Sequence, residues 1–174
     1  ACGWAGGAAG SGGGHSETLV PLDVRDGEDI ERLAQAIAAR FGRLDILVGN
    51  AGILGEMTPV SNIDPEKWTE VLDVNLTANW RLIRALEPLL LKSDAGRAIF
   101  LTSGVSGGRA YWGAYAVSKA AVEALARTWA QEMENTTLRI NVVNPGAIRT
   151  GMRAEAYPGE DPMTLPSPDD ITEI

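Results

Sequence analysis

The sequence predicts an α/β protein of the Rossmann-like, doubly wound kind. Three observations carry that expectation. Short apolar runs alternate with amphipathic stretches of helical length from Thr18 onward. The runs are almost continuously apolar, as strands are when helices cover both faces of a sheet. Their separations are long enough for the crossovers that parallel strands need.

The elements follow in order. Thr18 to Val24 reads as a short strand, with Pro21 pointing to an edge position. Asp26 is placed to cap a helix whose apolar face is Ile30, Leu33, Ala34, Ile37, Ala38 and Phe41, and Gly42 stops it. Leu44 to Val48 is the next strand and runs into Gly49-Asn-Ala-Gly52. Asp64-Pro65 supplies an N-cap and a proline at the first helical position, and that helix is expected to reach about Lys92, with Pro88 loosening its last turn. Ala98 to Thr102 is a strand, Tyr115 to Met133 a helix, and Leu138 to Val143 a strand ending at Asn144-Pro-Gly146. The proline-rich stretch after Thr150 reads as a loop or lid. Residues 1–16 differ from the rest: the first 14 hold seven of the 20 glycines without periodicity. They are expected to be flexible or artefactual, and residues 17–174 to form one domain.

The chain of 174 residues carries 15 Lys and Arg against 23 Asp and Glu, a net charge of −8, which argues against nucleic acid as a partner. No apolar run approaches the ~20 residues of a membrane span, and no signal-peptide pattern opens the chain. The expectation is a cytoplasmic protein with no membrane partner. Cys2 and His15 are the only cysteine and histidine, so neither an internal disulfide nor a metal site is expected, and a Ser-His-Asp triad would depend on His15 alone.

The residues that point to chemistry are Tyr115-Ala-Val-Ser-Lys119 and, twelve positions before the tyrosine, Ser103 at the end of a strand. Tyr and Lys at this spacing share a helix face. A nearby ammonium favours the phenolate and lowers a tyrosine pKa, making a usable acid or base. Carboxyl ends of parallel strands line the ligand crevice, where a Ser103 hydroxyl would meet a substrate oxygen. Asn75 lies on the helix face of Val71, Leu72, Leu76 and Leu82, where a buried amide needs partners. Asn50 suits a turn after a strand. Tyr111 and Trp112 stand close enough to line a substrate mouth.

Taken together, Asp23-Val24, Asn50-Ala-Gly52, Asn75, Ser103, Tyr115-Ala-Val-Ser-Lys119 and Asn144-Pro-Gly-Ala-Ile-Arg-Thr150 resemble a classical short-chain dehydrogenase/reductase in order and interval. The resemblance implies an NAD- or NADP-dependent oxidoreductase that interconverts a carbonyl and a secondary alcohol on a small molecule. It implies Tyr115 as general acid/base, Ser103 as the group that polarises the substrate oxygen, and Asn75 as holder of a relay water. Lys119 would tune Tyr115 and bind the nicotinamide ribose. Asp23 and Val24 would lie at the adenine, and Asn50, Ala51 and Gly52 at the adenosine ribose. Pro145, Gly146, Ile148 and Thr150 would flank the nicotinamide.

The helix from Tyr115 has two apolar stripes, Val117, Ala120, Ala121, Ala124 and Leu125, and Val122, Ala126, Trp129 and Met133. A second stripe suggests a further packed surface, and the resemblance implies a homodimer or homotetramer. The family's opening strand, glycine turn and helix find no counterpart. Gly6, Gly10 and Gly12 repeat the glycine spacing, yet no apolar strand precedes them and Ala5 stands in the threonine position. The final strand is missing likewise. The sheet is therefore expected to have a gap of about 10 Å between the Thr18 strand and the next. Two other readings stay open: a truncated, non-catalytic family member acting as a partner subunit, and an epimerase or dehydratase using the same residues.

Overall fold

The computed structural model describes residues 18–171. The segment set apart at 1–16, with Cys2 and His15, lies outside them. Three parallel strands, β1 (Ile46–Gly49), β2 (Arg97–Leu101) and β3 (Arg139–Val143), form one sheet in the order β1-β2-β3. Val48 pairs with Ile99, and Ile99 with Asn141.

Helix α1 (Gly27–Phe41) starts as predicted: the Asp26 carboxylate accepts from the Glu28 and Asp29 amides. It ends at Gly42, whose φ of 73° is a left-handed cap that costs glycine nothing. The long helix expected from Asp64 is in fact three segments. Helix α2 (Pro65–Leu72) is followed by one wide turn, Asp73–Thr77, in which the Ala78 amide reaches back five residues to the Asp73 carbonyl. Helix α3 (Ala78–Leu90) then continues past Pro88. Such wide turns insert an extra residue and turn a side chain off the regular helix face; here that side chain is Asn75. Helix α4 (Gly113–Glu132) crosses to β3.

The strands alternate in burial. Leu47, Ala98 and Phe100 pack against Ile30, Leu82, Leu86, Val122 and Trp129, and Phe100 meets Trp129 edge to face at 6.2 Å. Trp129 also donates to Glu87 Oε2 at 2.6 Å, so its indole N–H is buried with a partner. Gly49 is required here: a Cβ would sit 2.4 Å from Asn79 Oδ1 and 2.6 Å from Phe100. On the opposite face Ile46 and Val48 are 60% and 52% exposed. Among the described residues, then, the parallel sheet is covered by helices on one face, where the sequence predicts cover on both.

Two further expectations are corrected. Thr18 to Val24 forms no strand: Asp23 instead closes a turn onto the Asp26 amide. A strand needs a neighbour to pair with, and none lies beside this segment among the described residues; Leu22 still packs on the core. The stretch after Thr150 is not all loop. Helix α5 (Gly151–Ala156) forms there, capped by Thr150 Oγ1, which accepts from the Arg153 amide.

Candidate active site

The carboxyl ends of β2 and β3 and the first turns of α4 meet at a cleft of about 100 Å³. Ser103 leaves the end of β2 and lines it, as do Trp112 and Tyr115, with Gly146, Ile148 and Thr150 across from them. Met152, Arg153 and Ala156 of α5 close one side. The structure thus brings together Ser103, Tyr115 and three of the four residues predicted after β3. Pro145 adjoins them in the loop that the Asn144 side chain tightens by accepting the Gly146 amide at 3.1 Å.

Tyr115 is 9% exposed, and Ser103 hydrogen-bonds its phenol. Burial pushes the Tyr115 pKa above the ordinary phenol value, and the Ser103 bond works against that rise. This reverses the lowering expected from the Tyr-Lys spacing. The reason is geometric. Lys119, 5% exposed, donates from Nζ to the Leu101 carbonyl at 2.8 Å, and the ammonium lies 5.7 Å from the Tyr115 ring centre. Burial also lowers the Lys119 pKa.

Behind this pair lies a sealed network. Asn75 is 0% exposed. Its Oδ1 accepts from the Ile53 amide at 2.8 Å, and its Nδ2 donates to the Ile53 carbonyl and to Ser118 Oγ, both at 3.0 Å. Ser118 in turn donates to the Tyr115 carbonyl at 2.7 Å. Asn75 therefore pins the loop after β1 to α4. Ser118 is the functional-looking residue that the sequence reading left without a role. Its position inside the Tyr-x-x-x-Lys interval was the only signal. A Cβ on Gly52 would stand 3.5 Å from Asn75 Oδ1 and 3.7 Å from Lys119 Nζ, so this glycine borders both.

The remaining predicted residues are placed differently. Asn50 is exposed and Ala51 half-buried on the way to Gly52. Asp23 lies on the α1 side, where Arg25 binds its carboxylate and lowers its pKa to about 2. Val24 is half-buried beside it. No hydrogen bond or shared cleft joins Asp23 or Val24 to Tyr115 among the described residues. Trp112 lines the cleft, whereas Tyr111 is 59% exposed and points away from that role.

A second cluster frames Ser103 from behind. Glu123 of α4 accepts hydrogen bonds from Ser106, from Thr102 Oγ1 at 2.6 Å and from Arg127 at 2.7 Å, and together they lower its pKa. Among the described residues no group of three His, Cys, Asp or Glu side chains could hold a metal ion, and no helix is long and apolar enough to cross a membrane.

A parallel sheet with crossover helices and a cleft at its carboxyl end defines a Rossmann-like protein. The family model described as short chain dehydrogenase matches residues 9–161, and the chain belongs to that family. It is 49% identical over 154 residues to the uncharacterized oxidoreductase YciK of Escherichia coli K12, covering 88% of this chain and 61% of the relative. A solved short chain dehydrogenase from Salmonella enterica serovar Typhi superposes with a TM-score of 0.85 at 48% identity, covering 87% of this chain and 64% of that one. A putative short chain dehydrogenase from Escherichia coli CFT073, complexed with NADPH, gives 0.84 at 48% identity with the same coverage. The chain thus spans somewhat over three fifths of the length of these relatives.

Proposed function

We propose that the chain carries the catalytic half of an NAD(P)-dependent oxidoreductase that interconverts a carbonyl and a secondary alcohol on a small molecule. The observation that supports it most is one cleft holding a serine hydroxyl against a buried tyrosine phenol, one helical turn from a buried lysine. The relative solved with NADPH favours the same cofactor class.

The residues fit such a cofactor. Gly52 adjoins Asn75 and Lys119, and a Cβ there would stand in contact with both. Lys119 spends one donor on Leu101 and has others to give. Asn50, Ala51 and Gly52 would hold the adenosine ribose, Lys119 the nicotinamide ribose, and Pro145, Gly146, Ile148 and Thr150 the nicotinamide. Asp23, with Val24 beside it, would meet the adenine after releasing Arg25. When bound, the dinucleotide supplies or accepts the hydride.

The chain's own residues handle the proton. Ser103 Oγ donates to the substrate oxygen and fixes it beside the Tyr115 hydroxyl. In reduction Tyr115 gives its proton to that oxygen; in oxidation it takes the proton from the alcohol. An ammonium drawn from Leu101 towards the phenol would reverse the upward shift that burial imposes. Asn75 keeps a second lone pair on Oδ1 for a relay water next to Lys119.

Replacing Tyr115 by Phe tests this. Carbonyl reduction should fall by about 10²–10⁴-fold, with NADPH and NADH affinities nearly unchanged by fluorescence titration. Retained turnover would remove Tyr115 from the proton transfer. The active form is proposed to be a homodimer or homotetramer. On α4, Val122, Ala126 and Trp129 are consumed by the chain's own core, while Val117 remains 47% exposed, with Ala120 and Ala124 beside it. A monomeric mass in light scattering would overturn that assignment.

A further inference from the structure

We infer that Arg109 anchors an oxyanion on the substrate, so that the cleft takes an oxo compound bearing a carboxylate or a similar group away from its reacting carbonyl. The carbonyl half of this statement rests on the oxidoreductase reading; the anion site does not.

Four observations carry it. The guanidinium of Arg109 lies 6.0 Å from the ring centre of Trp112, which lines the cleft, and 5.7 Å from that of Tyr157. Trp112 packs on Tyr115 at 5.7 Å and on Tyr157 at 5.9 Å, so the cation rests on rings continuous with the cleft wall. Arg109 forms no ion pair among the described residues, in a protein with a net charge of −8. Arg153, the neighbouring cation, is by contrast neutralised: Glu160 accepts from its Nε at 2.6 Å and from its Nη2 at 2.7 Å. Of the two guanidiniums on the Tyr157 ring, Arg109 is the one without an ion pair.

The backbone adds the fourth observation. The Trp112 amide closes a turn on the Arg109 carbonyl at 3.1 Å, and Tyr111 inside that turn has a φ of 71°. It is the one non-glycine residue with positive φ among the described residues. The left-handed region is unfavourable for a bulky side chain. The strain is borne where it sets Arg109 and Trp112 side by side and turns Tyr111 outward, and strain of this kind gathers at ligand clamps. A guanidinium held over ring faces is pre-organised for planar, two-pronged binding of a carboxylate.

The test compares 4-acetylbenzoate with its neutral isostere 4-acetylbenzamide. Dissociation constants for both are measured by saturation-transfer NMR on the full chain, on Arg109→Gln and on Arg109→Lys. The full chain should bind the benzoate about tenfold more tightly than the amide, with the preference shrinking as salt is added. Arg109→Gln should bring the two constants close to equal, and Arg109→Lys should keep part of the difference. Equal binding of the two ligands by the full chain, no binding of either, or a preference that survives Arg109→Gln would each overturn the inference. Turnover is not needed for this readout. A chain that binds the benzoate through Arg109 but never reduces it with NADPH would sink the oxidoreductase reading and leave the anion site standing.

Discussion

The two ends of the site are built on opposite principles. At the Asn75 end both side-chain polar atoms are bonded and one lone pair of Oδ1 is left over: the amide is wholly buried and holds Ile53 twice over and Ser118. At the Tyr115 end the groups face a cleft, and the hydroxyls of Ser103 and Tyr115 have mainly each other. The first arrangement fixes position, and the second leaves two hydroxyls facing a cleft. Helix α4 joins them, because Tyr115, Ser118 and Lys119 lie on it within two turns. Damage to the sealed end should therefore show in stability, and damage to the open end in turnover with the fold intact.

Replacing Asn75 by Ala is the strongest way to break that contrast. It leaves the half-buried Ile53 amide and carbonyl and the buried Ser118 hydroxyl without this partner. Unmade buried hydrogen bonds of this sort cost about 1–3 kcal/mol per group, partly offset where the loop relaxes. Urea denaturation should show a loss of about 2–4 kcal/mol. Tyr115→Phe should leave the same midpoint within about 0.5 kcal/mol, as it removes only a hydroxyl at the cleft. If the phenylalanine variant loses as much stability as the alanine one, the two ends are not separable as described.

Much of this was legible beforehand, and the particulars show why. The Asp26 cap and the Gly42 stop were readable because both are local: a carboxylate reaching amides two and three residues on, and a left-handed terminus that favours glycine. Ser103 and Tyr115 were readable because strand ends and helix starts fix where such side chains meet. The wide turn at Asp73–Thr77 was hidden, because its apolar periodicity continues straight through Val71, Val74 and Ala78. Its cause is tertiary: Asn75 is drawn towards Ile53, 22 residues away. The Thr18 to Val24 strand failed for the complementary reason. Its composition suits a strand, but pairing depends on a neighbour that no local pattern guarantees. The Tyr115 pKa was misjudged because spacing counts charges and not solvent, and burial outweighs an ammonium that is turned to a carbonyl.

The smallest effect tests whether the open end has a frame of its own. Glu123 holds the segment on both sides of Ser103, through Ser106 and Thr102, against the helix that carries Tyr115. Those bonds, with the Arg127 pair, keep its pKa below the ordinary value of 4.5. A carboxyl with a lowered pKa in the folded state binds fewer protons there than in the unfolded chain. Its stabilisation is thus complete above pH 4.5 and is lost as pH falls through the folded-state value. The pair with Arg127 adds little, since that arginine is 68% exposed and screened by water. The effect should therefore be about 1 kcal/mol, carried by the two hydroxyl bonds. Thermal unfolding from pH 7 to pH 3 should show the native chain losing this increment below about pH 4.5 relative to Glu123→Gln, whose amide oxygen still accepts from Thr102 and does not titrate. Parallel curves for the two proteins would mean that Glu123 does not fasten the Ser103 segment, and that its orientation comes from the Tyr115 bond alone.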